Sequence, residues 1–371
     1  MFYWLQSLKR RKQEENAGLG QSSEGFLPPS QDTFAAIGEL SRVVRNNPDA
    51  VEIYLALGNL FRSQGEIERA IQIRTNLIAR PQLNEQFKAR AWFELGIDFK
   101  RAGIHDRAHS ALEQAYKLTG DDPAILKELA RLYADTNDYQ KAAKYYSLLG
   151  QPLPQAHYMV EDAKKHFLSN DRTQAFKLIQ KAIKVYPGSA EAWLEVICRD
   201  YQLGQWNNLQ GNLKKALEKV DDDLRFVLLE GLYQYIKWRS TDPGTDFIDE
   251  NCSQVVVDAV DSMDQNLIFS YYCSIFLKKS GQMDEAGEWL EKSLVMDQEF
   301  WPARLEILDI SQHEQIMTES FKTQLSFFTK KARMVKRFVC KRCGLKRERL
   351  FFLCPRCYSW HSISFRTLLN E

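Results

Sequence analysis

Residues Glu52–Ile73 read EIYLALGNLFRSQGEIERAIQI, and the offsets inside this stretch decide the fold. Counted from Gly58, Tyr54 lies four residues before, Leu57 one before, Phe61 three after and Ala70 twelve after. Gly96 has the same kinds of neighbour at the same offsets in Trp92, Leu95, Phe99 and Ala108. Ala130 has them in Leu126, Leu129, Tyr133 and Ala142. The first two units are 38 residues apart and the next two 34. A period of this size fits one helical hairpin per unit. Small residues recur where two helices cross, because a large side chain there would push the backbones apart. Large residues recur where one hairpin meets the next. A single hairpin cannot bury its apolar stripe alone, so such units stack.

The pattern of an aromatic, Leu-Gly, an aromatic, then Ala and a closing Pro is that of the tetratricopeptide repeat. Weaker copies follow. Ala163, Ala175, Ala182 and Pro187 fit a fourth unit, and Trp193, Gly204 and Ala216 a fifth. A degenerate sixth lies near Gly231, and Gly281 with Ala286 marks a seventh. Asn47-Pro48 closes a shortened first unit whose second helix is expected over Thr33–Arg45, with insertions near Gln82–Glu85 and Thr241–Asn251. Gly65, Gly103, Gly204 and Gly281 are expected at the turns inside the hairpins. The fold class is therefore all-α: a tetratricopeptide-repeat superhelical solenoid, with the aromatics serving packing. Its expected extent is 31–330, after an N-terminal basic, flexible segment at 1–30.

Composition agrees. Of 371 residues, 44% are hydrophobic and 27% charged, which excludes wholesale disorder. Lys+Arg number 50 against 49 Asp+Glu, so bulk charge argues against nucleic acid as the partner. No uninterrupted apolar run reaches the ~18 residues that span a bilayer; the longest, Leu267–Leu277, is broken by Ser270 and Ser274. The first eight residues, MFYWLQSL, are too short for a signal peptide and are followed by Lys9-Arg10-Arg11-Lys12.

In a stacked array the inward face of each leading helix is the surface offered to partners. Those positions read Glu52, Leu55, Asn59 and Arg62, then Arg90, Phe93, Ile97 and Lys100, then Lys127, Arg131 and Lys164. Asn59, Arg62, Lys100, Lys127, Arg131 and Lys164 would form a mildly basic groove for an extended peptide bearing a carboxylate. A solvated helix face is the alternative. No catalytic constellation stands out. The six histidines never pair at metalloprotease or triad spacing, and His105 with His109 lacks the accompanying glutamate.

From Phe338 the texture changes to FVCKRCGLKRERLFFLCPRCYSWHSI. Cys340, Cys343, Cys354 and Cys357 form two C-x2-C steps, each aiming two thiolates at one point. Four thiolates make a closed tetrahedral site for one zinc, or one iron in the rubredoxin manner, with no open position for catalysis. A rubredoxin-like metal-binding ribbon is expected over 335–371, where an ion replaces a core too small to form. His361 reads as a packing residue, since four sulfurs suffice. Lys330–Arg349 holds ten Lys/Arg against the single acid Glu348. A nucleic-acid-binding zinc ribbon, a rubredoxin-type electron carrier and contact with an anionic membrane surface are the competing readings of this tail.

Leu57–Ile71 together with the tail Cys340-x2-Cys343-Gly344…Cys354-Pro355-x-Cys357-x2-Trp360 resembles the lipopolysaccharide assembly protein B family. The resemblance runs from about Thr33 to the end. It implies a non-enzymatic regulator of lipid A synthesis on the cytoplasmic face of the inner membrane. Such a protein presents the committed-step deacetylase to a membrane AAA+ protease, and its ribbon packs against the repeats. It carries over the four cysteines as metal ligands and no catalytic residue. In that family a transmembrane helix and a basic stretch come first, and MFYWLQSLKRRKQ resembles the end of such a helix with its flank. A second copy of the chain is a further candidate partner.

Overall fold

A computed structural model describes residues 31–46, 50–239, 247–264, 266–314 and 316–368. The N-terminal segment 1–30, with its Lys9–Lys12 run, lies outside the described residues, as do Asn47-Pro48 and most of the Thr241–Asn251 insertion. Among the described residues no helix is long and apolar enough to cross a membrane. The chain divides into two compact units, Met1–Ala175 and Phe176–Glu371.

In the first unit α1 (Gln31–Asn46) precedes the hairpins α2 (Val51–Ser63) with α3 (Ile67–Ile78), α4 (Glu85–Arg101) with α5 (His105–Thr119), and α6 (Pro123–Asp135) with α7 (Tyr139–Leu148). Then come α8 (Pro152–Leu168) and α9 (Arg172–Val185), the latter running across the boundary. Asn84, Asp122 and Asp138 each cap the following helix by accepting backbone N–H bonds with their side chains, which satisfies otherwise orphaned donors. Ala70, Ala108 and Ala142 are fully buried at the crossings. Gly96 shows why: a Cβ there would come 2.6 Å from Leu112 Cγ on the facing helix.

The hairpin turns share one geometry. Leading helices end on a backbone bond reaching back five residues: Glu66 N–H to Phe61 O, Ile104 to Phe99, Asp138 to Tyr133, Asp171 to His166. The second unit repeats it in Gln205 to Asp200 and Gln282 to Leu277. The residue before each donor has positive φ. It is glycine at the four expected turns and asparagine at Asn137 (φ 61) and Asn170 (φ 64). Asparagine is among the few side chains that accept this left-handed conformation, so it ends a helix where glycine is missing.

The second unit holds α10 (Ala190–Gln202), α11 (Trp206–Lys219), a 3-10 turn at Asp222–Leu224, α12 (Phe226–Arg239), α13 (Glu250–Asp261), α14 (Leu267–Lys279), α15 (Met283–Met296), α16 (Trp301–Glu314) and α17 (Glu319–Ala332). A three-stranded antiparallel sheet follows, in the order β2 (Lys346–Arg347), β1 (Phe338–Cys340), β3 (Ile363–Phe365). The sheet shares a core with the helices. Phe338, Phe351, Ile363 and Phe365 belong to the same buried cluster as Phe226, Tyr271, Tyr272, Phe276 and Phe300. Phe338 stacks on Phe226 with ring centroids 6.0 Å apart.

Candidate metal centre

Antiparallel pairing of β1 with β3 sets Cys340 opposite Ile363 and brings the two knuckles together. Each knuckle is closed by the same backbone bond four residues apart: Gly344 N–H donates to Cys340 O and Tyr358 N–H to Cys354 O, both at 2.9 Å. The residue after the second cysteine is left-handed in both, Gly344 at φ 69 and Tyr358 at φ 53. The knuckles are thus two copies of one turn, facing each other.

The four Sγ atoms lie within 4.8 Å of one another. Cys340 and Cys357 are 3.7 Å apart, and Cys343 and Cys354 3.6 Å. All four are free thiols. A tetrahedron with metal–sulfur bonds of about 2.3 Å has edges of about 3.8 Å, so the spacing fits a four-coordinate ion and is far too long for a disulfide.

The electrostatics also ask for a cation. Burial pushes the Cys340 thiol up, but the Ser362 hydroxyl, backbone N–H groups of the first knuckle and the Ser359 hydroxyl outweigh it and pull it down to about 5. Cys357 is pulled down chiefly by the Ser359 hydroxyl. Cys343 goes the other way. The N–H near Leu345 favours its thiolate, yet burial and the adjacent sulfurs push it up to about 12. Four touching sulfurs cannot all ionise unless a positive ion joins them. The donor set therefore suits one metal ion.

Ser359 and Ser362 escaped the sequence reading, which weighed cysteines alone. Ser362 Oγ sits 3.2 Å from Cys340 Sγ, and Ser359 Oγ sits 3.0 Å from Cys357 Sγ. For Ser359 the signal was there, a hydroxyl two residues past the last cysteine. His361 packs near Tyr186 and Phe352 with Nε2 3.9 Å from Glu191.

The ribbon is latched to the helices by charge as well as by rings. Arg337, just before β1, donates to the fully buried Glu230 at 3.0 Å, and Tyr272 donates to the other oxygen of that carboxylate at 2.8 Å. Arg366 donates back to Lys336 O at 2.8 Å, tying the two ends of the ribbon together.

The residues expected to line a basic groove have varied surroundings. Arg62 donates to Glu94 and Asp98 at 2.5 Å each. Asn59 accepts from Arg74 at 2.5 Å, and Arg74 in turn is paired with the buried Asp98. Lys100 lies 3.1 Å from Asp135 and Arg131 3.1 Å from Glu128. Lys164 pairs with Glu161 at 2.8 Å. Lys127 and Arg131 keep exposed side chains. Leu55, read as inward-facing, is instead buried against Leu77 and Ala91, because the hairpin needs an apolar residue at that crossing.

The family model described as tetratricopeptide repeat matches residues 31–73 and 89–156. The chain is 25% identical over 383 residues to lipopolysaccharide assembly protein B of Escherichia coli K12, covering 96% of this chain and 92% of that one. It is 23% identical to the Haemophilus influenzae protein of the same name, covering 84% and 78%. Among solved structures, a tetratricopeptide repeat protein from Parabacteroides merdae aligns over 76% of this chain and 98% of its own, at 12% identity and a TM-score of 0.35.

Proposed function

We infer that this chain, a relative of lipopolysaccharide assembly protein B along nearly its whole length, is a non-enzymatic adaptor in lipopolysaccharide assembly. Its repeats hold protein partners, and its four cysteines hold one structural zinc or iron ion. The likeness over 96% of the chain, repeats and ribbon alike, carries the reading. In finer form, the repeats present the committed-step lipid A deacetylase to a membrane AAA+ protease at the cytoplasmic face of the inner membrane.

The chemistry of the chain supports an adaptor. The deeply buried charges described above are matched in structural pairs, Glu230 with Arg337 and Asp98 with Arg74. When bound, the ion cross-links two chain segments. Cys340, Cys343, Cys354 and Cys357 would hold it, and Ser359 and Ser362 would steady two of the sulfurs. Of the groove residues, Lys127 and Arg131 have the exposed side chains that recognition of a partner's carboxylate requires.

The test is a pull-down with the immobilised full chain. The deacetylase and the protease are both expected to be retained, and Lys127→Glu with Arg131→Glu is expected to weaken retention at least tenfold with helicity unchanged. Failure of the unmodified chain to retain either partner removes the finer reading. Unchanged lipopolysaccharide after deletion of the gene removes the coarser one.

A further inference from the structure

We propose that α17 and the residues just beyond it form a docking surface for an anionic phospholipid bilayer. This inference stands independently of the adaptor reading. Of the fourteen residues of α17, only Thr329 is buried. Phe321 and Phe328, 57% and 65% exposed, are seven residues apart and so share one helix face two turns apart. Phe327, also exposed, meets Phe328 edge-on at 5.6 Å. Ile316 before the helix and Met334 after it are exposed as well. Five large apolar side chains are thus exposed within nineteen residues, a concentration of the kind that marks an interaction surface.

Charge identifies the occupant. Between Ile316 and Arg349 there are eleven Lys/Arg against Glu319 and Glu348, in a chain whose formal charge is only +1. Arg333, Arg337 and Lys341 are tied to Asp309, Glu230 and Asp223. Lys322, Lys330, Lys331 and Lys336 are exposed on or beside the helix, and the Lys331 ammonium lies 5.8 Å from the Phe327 ring centroid. A helix with phenylalanines on one face and lysines around it lies in the headgroup layer, with its rings at the acyl boundary and its ammonium groups among phosphates. A nucleic acid would account for the lysines and for stacked rings. It would leave aliphatic Ile316 and Met334 without a role, whereas a bilayer takes both.

The experiment is flotation of the full chain with vesicles of phosphatidylglycerol and phosphatidylethanolamine, and with vesicles of phosphatidylcholine alone. The unmodified chain is expected to float with the anionic vesicles and not with the neutral ones. Phe321→Ser with Phe328→Ser, both at exposed positions, is expected to lower partitioning at least tenfold with an unchanged circular dichroism spectrum. Lys330→Glu with Lys331→Glu is expected to do the same, since each lysine near an anionic surface contributes roughly fivefold. Comparing full-length chains isolates α17 from any other lipid-binding segment. Unchanged partitioning of the phenylalanine variant overturns the proposal. So does equal binding to neutral vesicles, or binding of RNA with no binding of either vesicle.

Discussion

Phe365→Ala tests whether the ribbon is an appendage or part of the second unit's core. Phe365 is 6% exposed and sits in a cage of rings: Phe226 at 5.9 Å, Tyr271 at 6.0 Å, Phe300 and Phe338 at 6.1 Å, and Tyr272 at 6.2 Å. Three of these five lie in α12 and α14, Phe300 directly precedes α16, and Phe338 lies in β1. Truncating a buried phenylalanine costs about 3–5 kcal/mol. The upper half of that range applies here, because rigid rings cannot close over the void as aliphatic chains do. For a unit of this size about 4 kcal/mol lowers Tm by roughly 10 °C. The assay is far-UV circular dichroism on the metal-loaded chain, with and without a chelator. A shared core requires the helical transition itself to move. It also requires Phe365→Ala to cost much less once the metal is stripped, since the cage is then already open. A helical Tm shift below about 2 °C, or the same shift with and without chelator, refutes the shared core.

Cys354→Ser is expected to abolish one-to-one metal binding and unfold the ribbon, since a structural ion supplies most of the folding energy of so small a segment; metal content by elemental analysis checks it. Gly96→Ala places a methyl 2.6 Å from Leu112 Cγ and is expected to destabilise the first unit by about 1–3 kcal/mol, read by urea unfolding. His109 packs 4.3 Å from Tyr133, and burial, outweighing the pull of Glu113, holds its pKa below the usual imidazole value. The unfolded chain therefore takes the proton first. Stability is full above about pH 6.5 and declines as pH falls through the folded value. His109→Gln should flatten that part of the Tm–pH curve, and an unaltered slope would show that His109 is not its source.

How much was legible in the residues depends on how local the cause is. Ala70, Ala108 and Ala142 announced the hairpin crossings because only a small side chain fits there, and they lie at zero exposure. The cysteine knuckles were legible for the same reason, since both their spacing and their geometry are set within four residues. Asn137 and Asn170 were missed as turn residues because a second amino acid type satisfies the same φ. The pairing of Arg74 with Asp98 was out of reach, because it joins residues 24 apart and depends on the close approach that Gly58 permits: a Cβ there would come 2.8 Å from Arg74 Nη1. Arg62 therefore read as a free groove cation when its charge is already matched. Ser362 takes its meaning only from the β1–β3 register, which no spacing rule supplies.

The apolar run Leu267–Leu277 and the cysteine tail, separate features of the sequence, turn out to explain each other. All nine residues Phe269–Leu277 in α14 are buried, including Ser270 and Ser274, whereas a helix in a simple stack keeps one face in water. Burial on every side demands cover beyond what neighbouring hairpins provide. Part of that cover is the ribbon, whose Phe365 meets both Tyr271 and Tyr272. The same holds for α12, where Phe226–Leu232 are buried without a break and Phe226 lies against both Phe338 and Phe365. A segment with three short strands cannot hold such a cover in place by its own core, so its four thiolates converge on an ion-sized site. Glu230 adds a constraint in the same direction. As a carboxylate sealed inside α12, it needs Arg337 of the ribbon and Tyr272 of α14 at once. With an ion bound at the four cysteines, its loss is expected to strip one helix pair of its apolar cover and leave a buried charge without its ionic partner, so metal occupancy and the integrity of the second unit are expected to rise and fall together.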